Sequence, residues 1–151
     1  MSFKDFRPIV ISITPSGTAY SANDVVGGLL TPTLTTVPTV ITGISVSIGQ
    51  ASIAVPGTLY FYKSSPTTTF ADGDAFAPVA ADNDALIAAI TLPTALSLNS
   101  RNVYHMRYGT GGTMPLLEIS SQFYIYYVTS GTPDFNAAQT IKISLFQLGG
   151  R

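Results

Sequence analysis

Across 151 residues the chain carries only seven Lys or Arg and eight Asp or Glu, with one His and no Cys. That inventory excludes disulfide and thiol chemistry and leaves little equipment for proton transfer or metal binding. The net charge of −1, with basic residues scattered from Lys4 to Arg151, argues against a nucleic-acid binder, which would gather Lys and Arg on one face. The length fits one domain burying roughly 68–70% of its unfolded surface. An apolar fraction of 46% excludes a disordered chain. No run of about 18 apolar residues exists to make a membrane helix. The N-terminus lacks the apolar stretch of a signal peptide, so synthesis in the cytoplasm is expected.

Taken in chain order, residues 1–8 come first and precede any alternation. They carry two aromatics and three charges, and they read as an arm whose Phe3, Lys4, Phe6 and Arg7 dock on a neighbour. Residues 9–151 form the domain. Ile9, Ile11 and Ile13 open it as an inward series at period two, closed by Pro15-Ser16-Gly17. Val25–Leu30 is the next candidate strand; its Gly27-Gly28 pair suggests a bulge or a close strand approach. The Thr-rich stretch 31–42, with Pro32 and Pro38, reads as an extended loop or an edge strand guarded by proline. Ile44, Val46 and Ile48 then alternate with Ser45, Ser47 and Gly49.

Thr58–Lys63 follows as a strand after Pro56-Gly57. Ala80–Ile90 is the one helical candidate, with Asp82 or Asp84 as cap, although Leu86–Leu92 also suits a buried strand. Val103–Tyr108, a short Leu116–Ser120, Gln122–Thr129 and the Ile141, Ile143, Leu145 series complete the set. Leu98-Asn99-Ser100, the glycines 109–112 and Ser130-Gly131-Thr132-Pro133 supply turns. The pattern predicts a single antiparallel β-sandwich of about eight strands, with at most one short helix near 82–90.

Few residues offer chemistry. His105 shares a strand face with Val103 and Arg107, and no Gly-x-Ser-x-Gly elbow accompanies it. An outward or interface-facing histidine beside an arginine is a simpler reading than a hydrolase base. Asp72, Asp74, Asp82 and Asp84 are the densest acids and suit calcium by chemistry, but their spacing fails the EF-hand pattern, and turn and cap roles fit better. The glycines at 109, 111 and 112 lack the Lys-Ser/Thr ending of a phosphate loop. The expectation is a non-enzyme without cofactor or metal. More telling is Phe123-Tyr124-Ile125-Tyr126-Tyr127-Val128, aromatic or apolar on both faces, echoed by Tyr60 and Tyr62 opposite Leu59 and Phe61. Either Tyr60, Tyr62, Tyr124 and Tyr126 lie on a wet face or they form a subunit interface, for which tyrosine is suited.

Two segments resemble a known family. Ala19-Tyr20-Ser21-Ala22-Asn23-Asp24-Val25-Val26-Gly27-Gly28 is one. The other is Leu59-Tyr60-Phe61-Tyr62-Lys63-Ser64-Ser65-Pro66-Thr67, continued by Phe70-Ala71-Asp72-Gly73-Asp74-Ala75-Phe76-Ala77-Pro78. Together they resemble small β-sandwich proteins of tailed bacteriophages that decorate or cement the head. The resemblance implies a jelly-roll-like sandwich, a trimer, a place on the outer surface of the virion capsid and the major capsid protein as partner. It carries no catalytic residues. A carbohydrate- or receptor-binding module of a phage fibre or baseplate is the alternative, and would need exposed aromatics beside groups such as Arg101, Asn102 and Arg107.

Overall fold

The three isoleucine-rich series come to lie in one sheet. A computed structural model describes residues 8–34, 38–49, 56–109, 114–135 and 139–149. Its elements are β1 (Ile9–Ile13), β2 (Val25–Leu30), β3 (Thr39–Ile48), β4 (Gly57–Tyr62), a single helical turn α1 (Ala80–Asn83), β5 (Leu86–Thr91), β6 (Leu96–Leu98), β7 (Arg101–Arg107), β8 (Leu117–Ile119), β9 (Tyr124–Thr129) and β10 (Ile141–Gly149). Six strands form one sheet in the order β1-β10-β3-β7-β6, with β8 also on β3. Four form the other in the order β2-β9-β4-β5. Every strand pair is antiparallel.

Alternation decides which side chains meet between the sheets. Ile44, Val46, Ile48, Ile141, Ile143 and Leu145 are wholly buried from one sheet, facing Val26, Leu59, Phe61, Ile125 and Tyr127 from the other. Each such side chain contributes about 1.5–3 kcal/mol by leaving water. A small β-sandwich is therefore the architecture, with ten strands where the sequence suggested about eight.

The differences have local causes. The helix is confined to Ala80–Asn83, and Leu86–Thr91 is instead a strand on β4. Ile87, Ile90 and Thr91 are β-branched and suit a pleated edge better than a helix. Val79 is the helix N-cap and makes no side-chain cap bond; Asp82 lies inside the turn and Asp84 ends it. The stretch 31–42 is not an edge. Thr39–Thr42 begins β3, which lies between β10 on one side and β7 with β8 on the other. Pro38 precedes the first strand residue, where a missing N–H breaks no ladder bond; residues 35–37 lie outside the described residues.

Leu96–Leu98 forms β6 ahead of the expected Asn99-Ser100 turn, where Asn99 has φ 47° and Leu98 pairs with Arg101. Gly27 does mark a close approach. Its φ is 79°, and a Cβ there would fall 2.4 Å from Ile13 Cγ2, so only glycine lets β2 cross beside β1.

Candidate functional site

The two sheets differ in what covers their outer faces. On the four-stranded sheet the outward side chains are Val25, Tyr62, Tyr126 and Val128, with Leu29, Tyr60 and Tyr124 partly buried beside them. Their cover is the chain's own connection between β4 and β5, which lays Phe70, Phe76 and Ala85 on them. Tyr126 is enclosed by Tyr62, Phe70 and Phe76, with ring centroids 6.2, 5.6 and 5.6 Å away. Its hydroxyl accepts from the Phe70 N–H at 3.3 Å. Tyr62 and Tyr126 are thus buried inside the chain and offer no surface to a subunit, which corrects the expectation for these two. Tyr60 and Tyr124 remain half-buried at the margin.

Aspartates fasten this cover. Ser21–Asp24 and Ala71–Asp74 make twin turns. In each, the fourth residue's N–H donates to the first carbonyl, at 3.3 and 3.2 Å. In each, its carboxylate accepts from the first N–H, at 2.6 and 2.7 Å. The third residue has positive φ, 74° at Asn23 and 86° at Gly73. The turns dock on one another through Val25 N–H to Asp74 O and Phe76 N–H to Asn23 O, both 2.8 Å. Asp72 reaches across to accept from Tyr20 Oη at 2.7 Å and from the Gly27 N–H at 2.6 Å. Asp82, buried, accepts from the Thr67 N–H and Oγ1 at 2.7 and 2.8 Å and from the Thr68 N–H at 3.2 Å.

These contacts set the electrostatics. The Thr67 backbone N–H, above all, holds the Asp82 carboxyl below its ordinary range, against the desolvation that would raise it. Burial pushes the Tyr20 phenol up to about 12, with Ser16 opposing and Asp72 adding to the rise. Burial also pushes Tyr62 up to about 12, helped by the Asp82 charge, and raises Tyr126 and Tyr127. The four aspartates weighed for calcium therefore include three whose oxygens are spent on amides and hydroxyls. Among the described residues no group of three His, Asp or Glu could hold a metal ion. The repeated spacing of Ser21-Ala22-Asn23-Asp24 and Ala71-Asp72-Gly73-Asp74 is the sequence signal that could have revealed the twin turns.

The outer face of the six-stranded sheet carries no such cover among the described residues. Strand register places Val10, Ser144, Ser45 and His105 in one row across it. Ser12, Lys142, Ser47, Val103 and Leu96 form the next row, and Phe146, Gly43 and Arg107 a third. Val10 is 53% exposed and Leu96 63%, with Leu98 and Leu148 also exposed. Gly43 leaves room for Phe146, whose Cδ2 lies 3.3 Å from where a Cβ would sit. The Phe146 ring meets His105 edge-on at 6.0 Å, and Arg107 Nε donates to His105 Nε2 at 2.9 Å.

His105 is thus exposed, as alternation placed it, while Tyr104 and Met106 point into the core. Its partner is a guanidinium, not the carboxylate that would orient a catalytic imidazole. An open groove of about 490 Å³ is lined by residues 8–12, Thr31–Thr33 and Gln147, with no titratable side chain among the described residues that line it. Phe3, Lys4, Phe6 and Arg7 lie outside the described residues, as do 110–113 of the glycine loop. No described helix is long and apolar enough to cross a membrane. Comparison with protein-family models finds no match, and comparison with curated proteins finds none either.

Proposed function

We propose that this chain is a non-enzymatic structural protein of a tailed-bacteriophage virion. It would be made in the host cytoplasm and bind the outer capsid surface as a homo-oligomer, with a trimer as the state the resemblance implies. Its partner is the major capsid protein, and its task is to cement neighbouring capsomers. The observation that carries this reading is the convergence of the two resembling segments. Asn23, Asp24, Asp72 and Asp74 belong to the twin turns that fasten the cover on the four-stranded sheet, and Tyr20 and Phe76 bond to those turns. The resemblance therefore rests on residues that build one architectural feature. The exposed surface beside it is poor in charge and rich in hydroxyls, so it docks without desolvating many unpaired charges. Many copies on a lattice let individually weak contacts add up.

The test is cosedimentation with heads of the phage that carries the gene, prepared without this protein, together with light scattering of the protein alone. Saturable pelleting and a trimer mass are expected. A monomer that stays in the supernatant would contradict the reading. The fibre-module alternative is weakened by burial of Tyr62 and Tyr126, which removes two rings from any sugar platform. Reproducible binding on a glycan array would restore it.

A further inference from the structure

Among the described residues the two outer faces differ in charge. Asp24, Asp72, Asp74, Asp82 and Asp84, five of the eight acidic residues, sit with Lys63 on the cover of the four-stranded sheet or the turn docked on it. The outer face of the six-stranded sheet presents Arg101, Arg107 and Lys142 against Glu118 alone, a net +2 among the described residues. Val10, Val103, Phe146, Leu148 and Leu96 share this face with the charges, Val10 and Leu96 on its edge strands β1 and β6. An antiparallel sheet face left to water ordinarily alternates polar side chains outward. Here exposed apolar residues are interspersed with serines and cations.

We propose that this face is a docking surface for another protein whose contact patch combines apolar and acidic residues. Five strands and about seven residues of length give a flat area of roughly 600 Å² from the sheet spacings. That approaches the roughly 800 Å² per partner of a standard specific interface. Phe146, held over Gly43 against His105, and Arg107, held by its bond to His105, are an aromatic and an arginine fixed in advance, the residue types that anchor interfaces. Charge decides the occupant. Two copies joined face to face would bring two net-positive faces together. A second copy's acidic cover is on the opposite side of the sandwich, so that contact would stack copies without closing. Its Asp72, Asp74 and Asp82 oxygens are moreover already bonded within the chain. A different, acidic protein surface fits. The inference deepens the capsid reading by naming the face that meets the partner, and it rests on that reading only for the partner's identity.

The first probe is independent of any phage: carboxylated polystyrene particles, apolar and acidic, titrated with protein at low and high salt. The wild type, despite its net charge of −1, adsorbs at low salt and is released by high salt. Arg107→Glu/Lys142→Glu and Phe146→Ser weaken adsorption by roughly tenfold or more, whereas Asp74→Asn/Asp84→Asn on the cover does not. Thermal melts check that each variant is folded. Failure of the wild type to adsorb, or equal loss from face and cover variants, overturns the proposal. So does a mass that grows with concentration and falls in both variant sets, which assigns the face to a second copy. The same variants are then pelleted with heads. Wild-type binding that Arg107→Glu/Lys142→Glu leaves unchanged overturns the surface and spares the capsid reading. Particle adsorption as expected with no binding to heads does the reverse.

Discussion

Two sheets of one sandwich, built from similar residues, end with opposite outer faces. On the four-stranded sheet, two-sided aromatic strands recruit the chain's own connection, and the aspartates that fasten it make that side acidic. On the six-stranded sheet the outward residues are serines, His105, Glu118, three cations and scattered apolar groups that include Phe146 and Leu96, and no connection covers them among the described residues. The difference teaches that an aromatic strand face is no sign of a partner until the connections have been placed. In this chain the richer face is satisfied internally, and the plainer one is left uncovered among the described residues.

The contrast is broken most forcefully at Tyr126. Tyr126→Ala removes a fully buried ring from the outer cluster, and an expected loss of about 3–5 kcal/mol would be read from urea unfolding. A loss below about 1 kcal/mol would mean that the cover is not packed as described. Glycines sharpen the comparison next. Gly27→Ala combines positive φ with a Cβ driven into Ile13, and is expected to cost about 2–4 kcal/mol. Gly73→Ala has the same backbone problem, with nothing within 4 Å of the new carbon, and is expected to cost only about 1 kcal/mol.

Asp82 gives the cover a pH dependence. Its folded pKa lies below the ordinary 3.8, so the unfolded chain binds more protons in that window. Its contribution is full above the unfolded value and is lost as pH falls through the folded one. Melting temperatures measured from pH 6 down to pH 2 should fall less steeply for Asp82→Asn than for the wild type. The smallest effect belongs to the bare face: Leu96→Ser, 63% exposed, should change stability by no more than about 0.5 kcal/mol.

How legible this was depends on the range of the forces involved. Period-two alternation at Ile44–Ile48 and Ile141–Leu145 placed the core, because strand geometry is local. It also set Tyr104, Met106 and Tyr108 on the strand face opposite His105; Tyr104 and Met106 are buried, and His105 and Tyr108 are exposed. The Leu86–Thr91 strand was legible only as the alternative to a helix, since its pairing with β4 is more than 20 residues distant and local pattern alone did not decide between them. β6 was missed because three residues are too few to show a period. The covering of Tyr62 and Tyr126 was illegible for a similar reason. It depends on Asp82 meeting Thr67 and on two turns meeting across some 50 residues. Only the repeated Asp at the fourth position of each turn hinted at it.

The central claim is that the uncovered six-stranded face, and not the aspartate-fastened cover, meets the partner. Amide hydrogen exchange of the wild-type protein, free and bound to heads, tests this most directly. The account predicts new protection in β1, β7 and β10, with residues 63–85 exchanging as in the free protein. Protection concentrated in residues 63–85, with β7 and β10 unchanged, would contradict it.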